Sequence, residues 1–404
     1  MATPERIRRA ADLIAAEAAA GKQLAVIVSA MAGKTNELVA WADVLGAATP
    51  GAPNSDDEYD VVVASGEQVT SGLLAITLRN MGLKARSWLG WQIPILTDDS
   101  HGRARIVDIP GEKLGAAIDT GEIAIVPGFQ GVTADGRLTT LGRGGSDTSA
   151  VAVAAALGAP CDIYTDVDGV YTTDPRIEPK ASRLPRIAYE EMLEFASLGA
   201  KVMQSRSIEL AMAYKVPVRV LSSFNERPPE PGQGTLICDE ETDVEQRIVS
   251  GVALSRDEAK VTLLGVPDRA GSPAEVFSRL ADANLNVDMI IQSPAMTAGV
   301  TNVLFTVGRR DAAAAEKLMR DAQAQIGFAE IRVDTDLAKV SVIGVGMRSH
   351  AGVAQTMFRA LAEKGIALQA ISTSEIKISV LVEAARGEEA VRALHAAYGL
   401  EAAA

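Results

Sequence analysis

The sequence predicts an α/β domain with a mainly parallel sheet, followed by two copies of a split βαββαβ plan. Three observations carry that reading. From the N-terminus to Leu221, apolar runs alternate with helical patterns. The densest breaker cluster, Glu226-Arg-Pro-Pro-Glu-Pro-Gly-Gln-Gly234, then runs into the acidic stretch Asp239–Glu245, where a domain boundary belongs. Beyond it, Lys260-Val-Thr-Leu-Leu-Gly-Val266 returns as Lys339-Val-Ser-Val-Ile-Gly-Val345, an internal repeat.

The elements follow in order. Pro4, Glu5 and the apolar positions Ile7, Ala11, Leu13 and Ile14 read as an amphipathic helix at the start. Strands are expected at Leu24–Val28, Asp60–Ala64, Ile123–Val126, Arg137–Thr140, Cys161–Thr165 and Val218–Leu221. Helices are expected at Gln68–Met81, Ser146–Leu157, Tyr189–Phe195 and Met203–Tyr214, and the small-residue run Gly46–Ser55 reads as a mobile loop. In the repeat, each copy continues with a helix (Pro273–Ala283; Gly352–Lys364) and a second strand (Leu285–Gln292; Ile366–Thr373). A third strand (Thr301–Val307; Lys377–Glu383) and a second helix (Ala312–Ala324; Glu388–Ala397) complete it. Ile248–Leu254 is a spare strand that either copy could take.

Composition excludes several classes. The 404 residues are 48% hydrophobic and 23% charged, enough for a sizeable core. A net charge of −13 argues against a nucleic-acid surface, which needs clustered Lys and Arg. Cys161 and Cys238 form no CxxC pair, which fits a reducing cytoplasm and excludes a disulfide scaffold. His101, His350 and His395 are scattered, so a His-rich metal site is not expected. No apolar run approaches the ~20 residues of a membrane span, and no membrane partner is expected.

Three motif-like stretches fail. Gly33-Lys34-Thr35 lacks the P-loop's first glycine, where Val28 stands. Gly142-Arg-Gly144 meets Asp147 where a dinucleotide fingerprint needs its third glycine, and Asp166-Val-Asp168-Gly169 lacks the spacing of a calcium loop. The strongest signal is Thr139-Thr-Leu-Gly-Arg-Gly-Gly-Ser-Asp147. Here a strand ends in three glycines around one arginine, and a helix opens at Ser146/Asp147. Glycines allow close backbone approach, helix N–H groups attract anions, and Arg143 offers a fork for carboxylate or phosphate. Tyr164-Thr-Asp-Val-Asp-Gly-Val-Tyr-Thr-Thr-Asp-Pro-Arg176 sets hydroxyls, carboxylates and an arginine at a strand's C-terminal end, where α/β sheets bind ligands. Ser29-Ala-Met-Ala-Gly-Lys-Thr-Asn36, Ser65-Gly-Glu67 and Gly128-Phe-Gln-Gly131 read as three more strand exits converging on the same edge.

Taken in order over nearly the whole chain, these segments, with Ile371-Ser-Thr-Ser-Glu-Ile376 near the end, resemble the aspartate kinase family. The resemblance implies a three-layer amino-acid-kinase sandwich over residues 1–238, a linker with an extra strand over 239–258, and two ferredoxin-like ACT domains over 259–330 and 335–400. It implies phosphorylation of the β-carboxylate of L-aspartate with ATP and Mg2+, in the route to lysine, threonine and methionine, under feedback by lysine and/or threonine. It also implies a cytoplasmic homo-oligomer formed through ACT pairing, with room for a separate ACT-only subunit.

The resemblance also distributes roles. Thr35, Glu67, Arg143, Gly144, Gly145 and Ser146 would hold aspartate, with Glu67 on the ammonium and Arg143 on a carboxylate. Arg143 and Asp147 are the catalytic pair, Asp147 orienting the phosphate-binding lysine. Ser29, Thr165, Asp166, Tyr171, Asp174, Arg176 and Lys201 would form the nucleotide pocket. Asp268, Gly271 and Gln292 match a threonine site; Met347, Val353, Ser374 and Glu375 match a lysine site. Ala367 and Ala354 replace an asparagine and a threonine common in the family, which puts threonine sensitivity in doubt. The family opens with a strand and a Lys-(Phe/Tyr)-Gly-Gly-(Thr/Ser)-Ser motif, whereas Ala2-Thr-Pro-Glu-Arg-Ile7 resembles the helix after it. The expectation is a misplaced start, a GTG valine codon read as initiator. The sheet would lack an inner strand, and the chain as given would be an impaired kinase. Two alternatives stand beside this: a catalytically dead amino-acid sensor, and another amino-acid kinase acting on glutamate or acetylglutamate.

Overall fold

The computed structural model describes residues 3–46, 56–93, 95–199, 202–225, 227–240, 248–295 and 297–401. They form two compact units. The first comprises Met1–Val170, Leu184–Ala196 and Lys201–Thr242; the second comprises Tyr171–Arg183, Ser197–Ala200 and Asp243–Ala404. Lys201, nearly all of the loop after Gly46 and much of the acidic run after Asp239 lie outside the described residues.

The first unit opens with α1 (Pro4–Ala19), β1 (Ala25–Val28), α2 (Lys34–Gly46) and α3 (Asp56–Asn80). Short strands β2 (Ala85–Ser87), β3 (Leu96–Thr97) and β4 (Ile106–Asp108) lead to α4 (Glu112–Asp119). Then come β5 (Ile123–Pro127), β6 (Gln130–Val132), β7 (Leu138–Thr140), α5 (Gly145–Leu157) and β8 (Cys161–Thr165). The unit closes with β9 (Arg186–Ala188), α6 (Tyr189–Ser197), α7 (Ser205–Tyr214), β10 (Val218–Ser222) and β11 (Thr235–Cys238).

Three layers result. β5 lies between β1 and β2 in a parallel sheet and alternates its apolar residues. Ile123 and Ile125 pack with Ile7 and Ala11 of α1 and Leu74 and Leu78 of α3. Ala124 and Val126 face the opposite way, onto Leu114 and Ile118 of α4 and Val153 of α5. Two further sheets follow, β4-β3-β6-β7 and β8-β10-β11-β9, the latter pairing β8 with β10 in parallel. β1 and β8 are the edge strands of their sheets, and residues of both line one cavity of about 1380 Å³. Along β1, Ala25, Val26 and Ile27 stay half-buried although the strand is wholly apolar.

One expectation is overturned. Asp60–Ala64 is not a strand but lies in α3. The β-branched run Val61-Val-Val63 mimics a strand, yet burial recurs at Asp60, Val63, Ala64, Glu67, Ser71, Leu74 and Leu78, the three-to-four spacing of one helix face. Ser65-Gly-Glu67 is therefore mid-helix and not a strand exit. α3 is long and apolar enough to cross a membrane by composition, but with Asp60, Glu67, Thr70 and Ser71 buried it serves as a core helix.

In the second unit, β12 (Gly251–Ser255) precedes β13 (Ala259–Pro267), α8 (Ser272–Asp282), β14 (Val287–Pro294) and β15 (Val300–Val307). α9 (Ala312–Asp321), α10 (Gln323–Ile326) and β16 (Glu330–Asp334) complete the first copy. The second copy is β17 (Leu337–Ile343), α11 (Val353–Glu363), β18 (Ala370–Thr373), β19 (Lys377–Glu383) and α12 (Gly387–Ala397). The first copy is a βαββαβ sheet in the order β14-β15-β13-β16. The second copy departs from the expected plan, because no strand follows α12 among the described residues. β12 takes that place, running antiparallel to β17 in the order β12-β17-β19-β18. The spare strand thus belongs to the second copy, and the first copy is inserted within the second. Between the copies, buried Lys339 pairs with Glu258 and, at 2.8 Å, with Asp288. Burial would push the Lys339 ammonium down, but these two carboxylates hold it up.

Candidate active site

The glycine-rich turn joins β7 to α5 in the first unit. Gly142 and Gly144 sit at φ 76° and 68°, in the left-handed region, and Gly144 is the residue before the helix. A side chain at Gly144 would also collide with Gln204, whose Cγ lies 2.0 Å from where a Cβ would stand. The first N–H groups of α5 are thereby presented on a bare backbone, the arrangement that attracts anions. Arg143 is exposed beside them.

Neighbouring elements clamp this turn. The fully buried Asp60 accepts the Thr140 hydroxyl, the Gly102 N–H at 3.0 Å and a contact from His101 Nδ1 at 2.8 Å. Arg206 donates to the carbonyls of Leu141 and Ala104, each at 2.7 Å. Asp60 and Arg206 were not singled out by sequence. The available signal was that Asp60 precedes Glu67 by two helical turns, which puts both carboxylates on one face of α3.

Glu67 is 3% exposed, and its Oε1 accepts the Ala30 N–H at 3.0 Å. Its other oxygen is buried with no hydrogen-bond partner, and burial pushes the carboxyl up to about 7. A buried carboxylate with an empty acceptor is prepared for a cationic donor. Ala30 follows the end of β1, so this contact brings α3 to a strand exit. A Cβ on Gly128, after β5, would meet Ser146 at 3.0 Å, which brings a second exit to the start of α5.

Ser29, Ser146, Asp147 and Asp166 all line the large cavity. The Thr165 hydroxyl bonds Asp166 at 3.2 Å. Asp147 is pushed up to about 6 by burial. Thr35 lies half-buried in the first turn of α2. The first unit therefore gathers Ser29, Gly144, Gly145, Ser146, Asp147, Thr165 and Asp166 at connected strand and helix ends, with Glu67 reaching the β1 exit from the middle of α3. Tyr171, Asp174 and Arg176 belong to the hairpin counted with the second unit, where Arg176 pairs with Asp174 at 2.6 Å and holds its carboxyl below the ordinary range. Lys201 is not among the described residues.

The proposed effector residues divide similarly. Met347, Val353, Ser374 and Glu375 line one pocket of about 200 Å³ in the second copy, with Gly352 at φ 99° before α11. In the first copy Gly271 holds the same place before α8 at φ 96°, Asp268 bonds Gly299 through its N–H, and Gln292 lies on β14.

The sequence model of the amino acid kinase family matches residues 1–222, and ACT domain models match 260–323 and 340–398. An aspartate kinase of Pseudomonas fluorescens is 50% identical over 400 residues, covering 98% of this chain and 95% of that protein. Among solved structures, Escherichia coli aspartokinase III in complex with aspartate and ADP aligns with a TM-score of 0.76 at 28% identity, over 97% of this chain and 96% of that one. The same enzyme in complex with lysine and aspartate aligns at 0.74 and 28%, over 96% and 95%.

Proposed function

The chain belongs to the aspartate kinase family, and from that premise we propose how its residues divide the reaction. The activity is transfer of the γ-phosphoryl group of ATP to the β-carboxylate of L-aspartate, giving an acyl phosphate and ADP. The attacking carboxylate has an ordinary pKa of about 3.9 and is already ionised at neutral pH, so no general base is required. Catalysis reduces to in-line positioning and neutralisation of charge on the transferring group. The unpartnered oxygen of Glu67 receives the substrate ammonium. Arg143 takes a carboxylate, with Thr35 and Ser146 supplying hydroxyls. The N–H groups at Gly144, Gly145 and Ser146 face the anionic end of the substrate at the helix N-terminus. Ser29, Thr165 and Asp166 serve the nucleotide from the ends of β1 and β8, with Tyr171, Asp174 and Arg176 on the hairpin beyond. Asp147 orients a phosphate-binding cation.

Among the described residues no three or more His, Cys, Asp or Glu gather as a metal site. A nucleotide-borne Mg2+ needs only one or two protein carboxylates, and Asp147 and Asp166 on the cavity wall fit that demand. When bound, the ion neutralises charge on the phosphates.

Lysine is the proposed effector of the second-copy pocket, where Ser374 and Glu375 suit an amino group. Threonine at Asp268, Gly271 and Gln292 is the weaker assignment, given Ala354 and Ala367. A cytoplasmic homo-oligomer assembled through the ACT domains completes the reading. The sensor without kinase activity is not favoured, because the similarity to aspartate kinases runs the length of the chain.

The observation that carries the substrate assignment is the orphaned Glu67 oxygen. Its test is Glu67→Gln, assayed by trapping the acyl phosphate with hydroxylamine. KM for aspartate should rise by about a hundredfold, KM for ATP should not move, and wild-type KM for aspartate should climb as pH falls through about 7. Stability should respond in the opposite sense. With a folded pKa of about 7, above the ordinary 4.5, wild-type stability falls as pH rises from 4.5 to 7, so the glutamine variant should melt higher at pH 8, by at most ~3 kcal/mol. An unchanged KM for aspartate removes Glu67 from the site.

A further inference from the structure

Between β8 and β9 the chain leaves the first unit after Val170 and re-enters it at Leu184, whose N–H closes the neck on the Val170 carbonyl at 2.8 Å. The intervening hairpin carries Tyr171, Asp174 and Arg176. It is held together by the Thr172 N–H on the Ser182 carbonyl at 2.9 Å and by the Tyr171–Arg183 bridge.

What anchors the hairpin is the second ACT copy. The Val252 N–H of β12 donates to the Thr172 carbonyl at 2.8 Å. The Thr172 hydroxyl lies 2.9 Å from Nε2 of His395 in the last turn of α12. Ser182 Oγ donates to the Leu400 carbonyl at 3.0 Å, and Lys180 pairs with Glu401 at 2.9 Å. Thr172 is 0% exposed and His395 1% exposed. Nδ1 of His395 has no partner, which favours the tautomer with the proton on Nε2, since a bare lone pair is cheaper to bury than an orphaned N–H. Thr172 Oγ1 then accepts from His395 and from the Ser182 N–H at 3.0 Å, and turns its own hydrogen toward the Leu400 carbonyl. Burial lowers the His395 pKa and keeps the ring neutral, as this arrangement requires.

We propose that His395 is a positioning residue for the nucleotide: through Thr172 it fixes the hairpin that presents Tyr171, Asp174 and Arg176, so the second ACT copy sets the affinity for ATP. The proposal rests on the nucleotide reading of that hairpin. It also gives the effector pocket a route to the site, because β17 ends beside that pocket and pairs with β12, which holds Thr172 from the other side.

The test compares the full chain with Thr172→Val, His395→Leu and His395→Gln. Valine keeps the shape of threonine and leaves α12 untouched, whereas glutamine can return a donor where Nε2 stands. KM for ATP should rise about tenfold in the valine and leucine variants, with kcat and KM for aspartate within about twofold, and glutamine should recover most of the loss. Hydrogen exchange should quicken across residues 171–183 in the same two variants and stay unchanged in β13–β16. An unmoved KM for ATP, or a parallel loss in both substrates that tracks melting temperature, overturns the proposal. If the wild-type chain makes no acyl phosphate, the kinase reading falls. Exchange in the hairpin then decides the anchoring by itself, and unchanged protection in both variants refutes it.

Discussion

The two units finish their sheet edges differently. In the second ACT copy no strand follows α12 among the described residues, and β12, from the far side of the first copy, pairs with β17 in that place. In the first unit the edge strands β1 and β8 line a cavity of about 1380 Å³. The contrast separates two uses of a sheet edge. β12 completes a core that includes Val252, Val340, Val380 and Leu394. At the other edge Ala25, Val26 and Ile27 of β1 stay half-buried, and burial raises the Asp147 carboxyl on the cavity wall. A paired edge builds packing, whereas an open one leaves room for a ligand.

The largest effect should come from opening the second copy's sheet. Val252→Asp puts a charge into the second copy's core at a position 0% exposed, and should lower its stability by ~3–5 kcal/mol, with hydrogen exchange rising in β17 and β19 and not in β13–β16. Exchange rising equally in both copies would show that they unfold as one. The smallest effect concerns the joint between the copies. Lys339→Met alone strands the buried Glu258 and should destabilise by ~3 kcal/mol, whereas Lys339→Met with Glu258→Met should fall within ~1 kcal/mol of wild type by denaturant unfolding. A double variant as damaged as the single one would give the ion pair a net stabilising role.

Legibility in the sequence followed distance along the chain. The Gly142–Asp147 turn was readable because strand end, glycines and helix start are contiguous, and the βαββ order of both copies was readable from a repeated apolar pattern. Glu67 was found by resemblance but set on the wrong element, since three consecutive valines imitate a strand when the burial of Asp60 and Glu67 is invisible. β2, β3 and β4 are two or three residues long, too short for periodicity to register. The clamp of Arg206 on Leu141, the choice of copy by β12 and the meeting of Thr172 with His395 depend on tertiary contacts between residues far apart in sequence. No local signal encodes them.

The nesting of one repeat inside the other has a consequence for biosynthesis. β12 emerges from the ribosome well before β17, its partner strand in the sheet among the described residues, and must wait as an apolar strand with that edge unpaired. The first copy shortens that wait. Its first and last strands in chain order pair Lys260 with Asp334, so once it folds, the chain ends flowing into Ser255 and Lys339, which are cross-strand neighbours in the finished protein, are already side by side. A long and entropically expensive closure becomes a short one. The inserted repeat acts as a clasp, and the order of translation becomes the order of assembly.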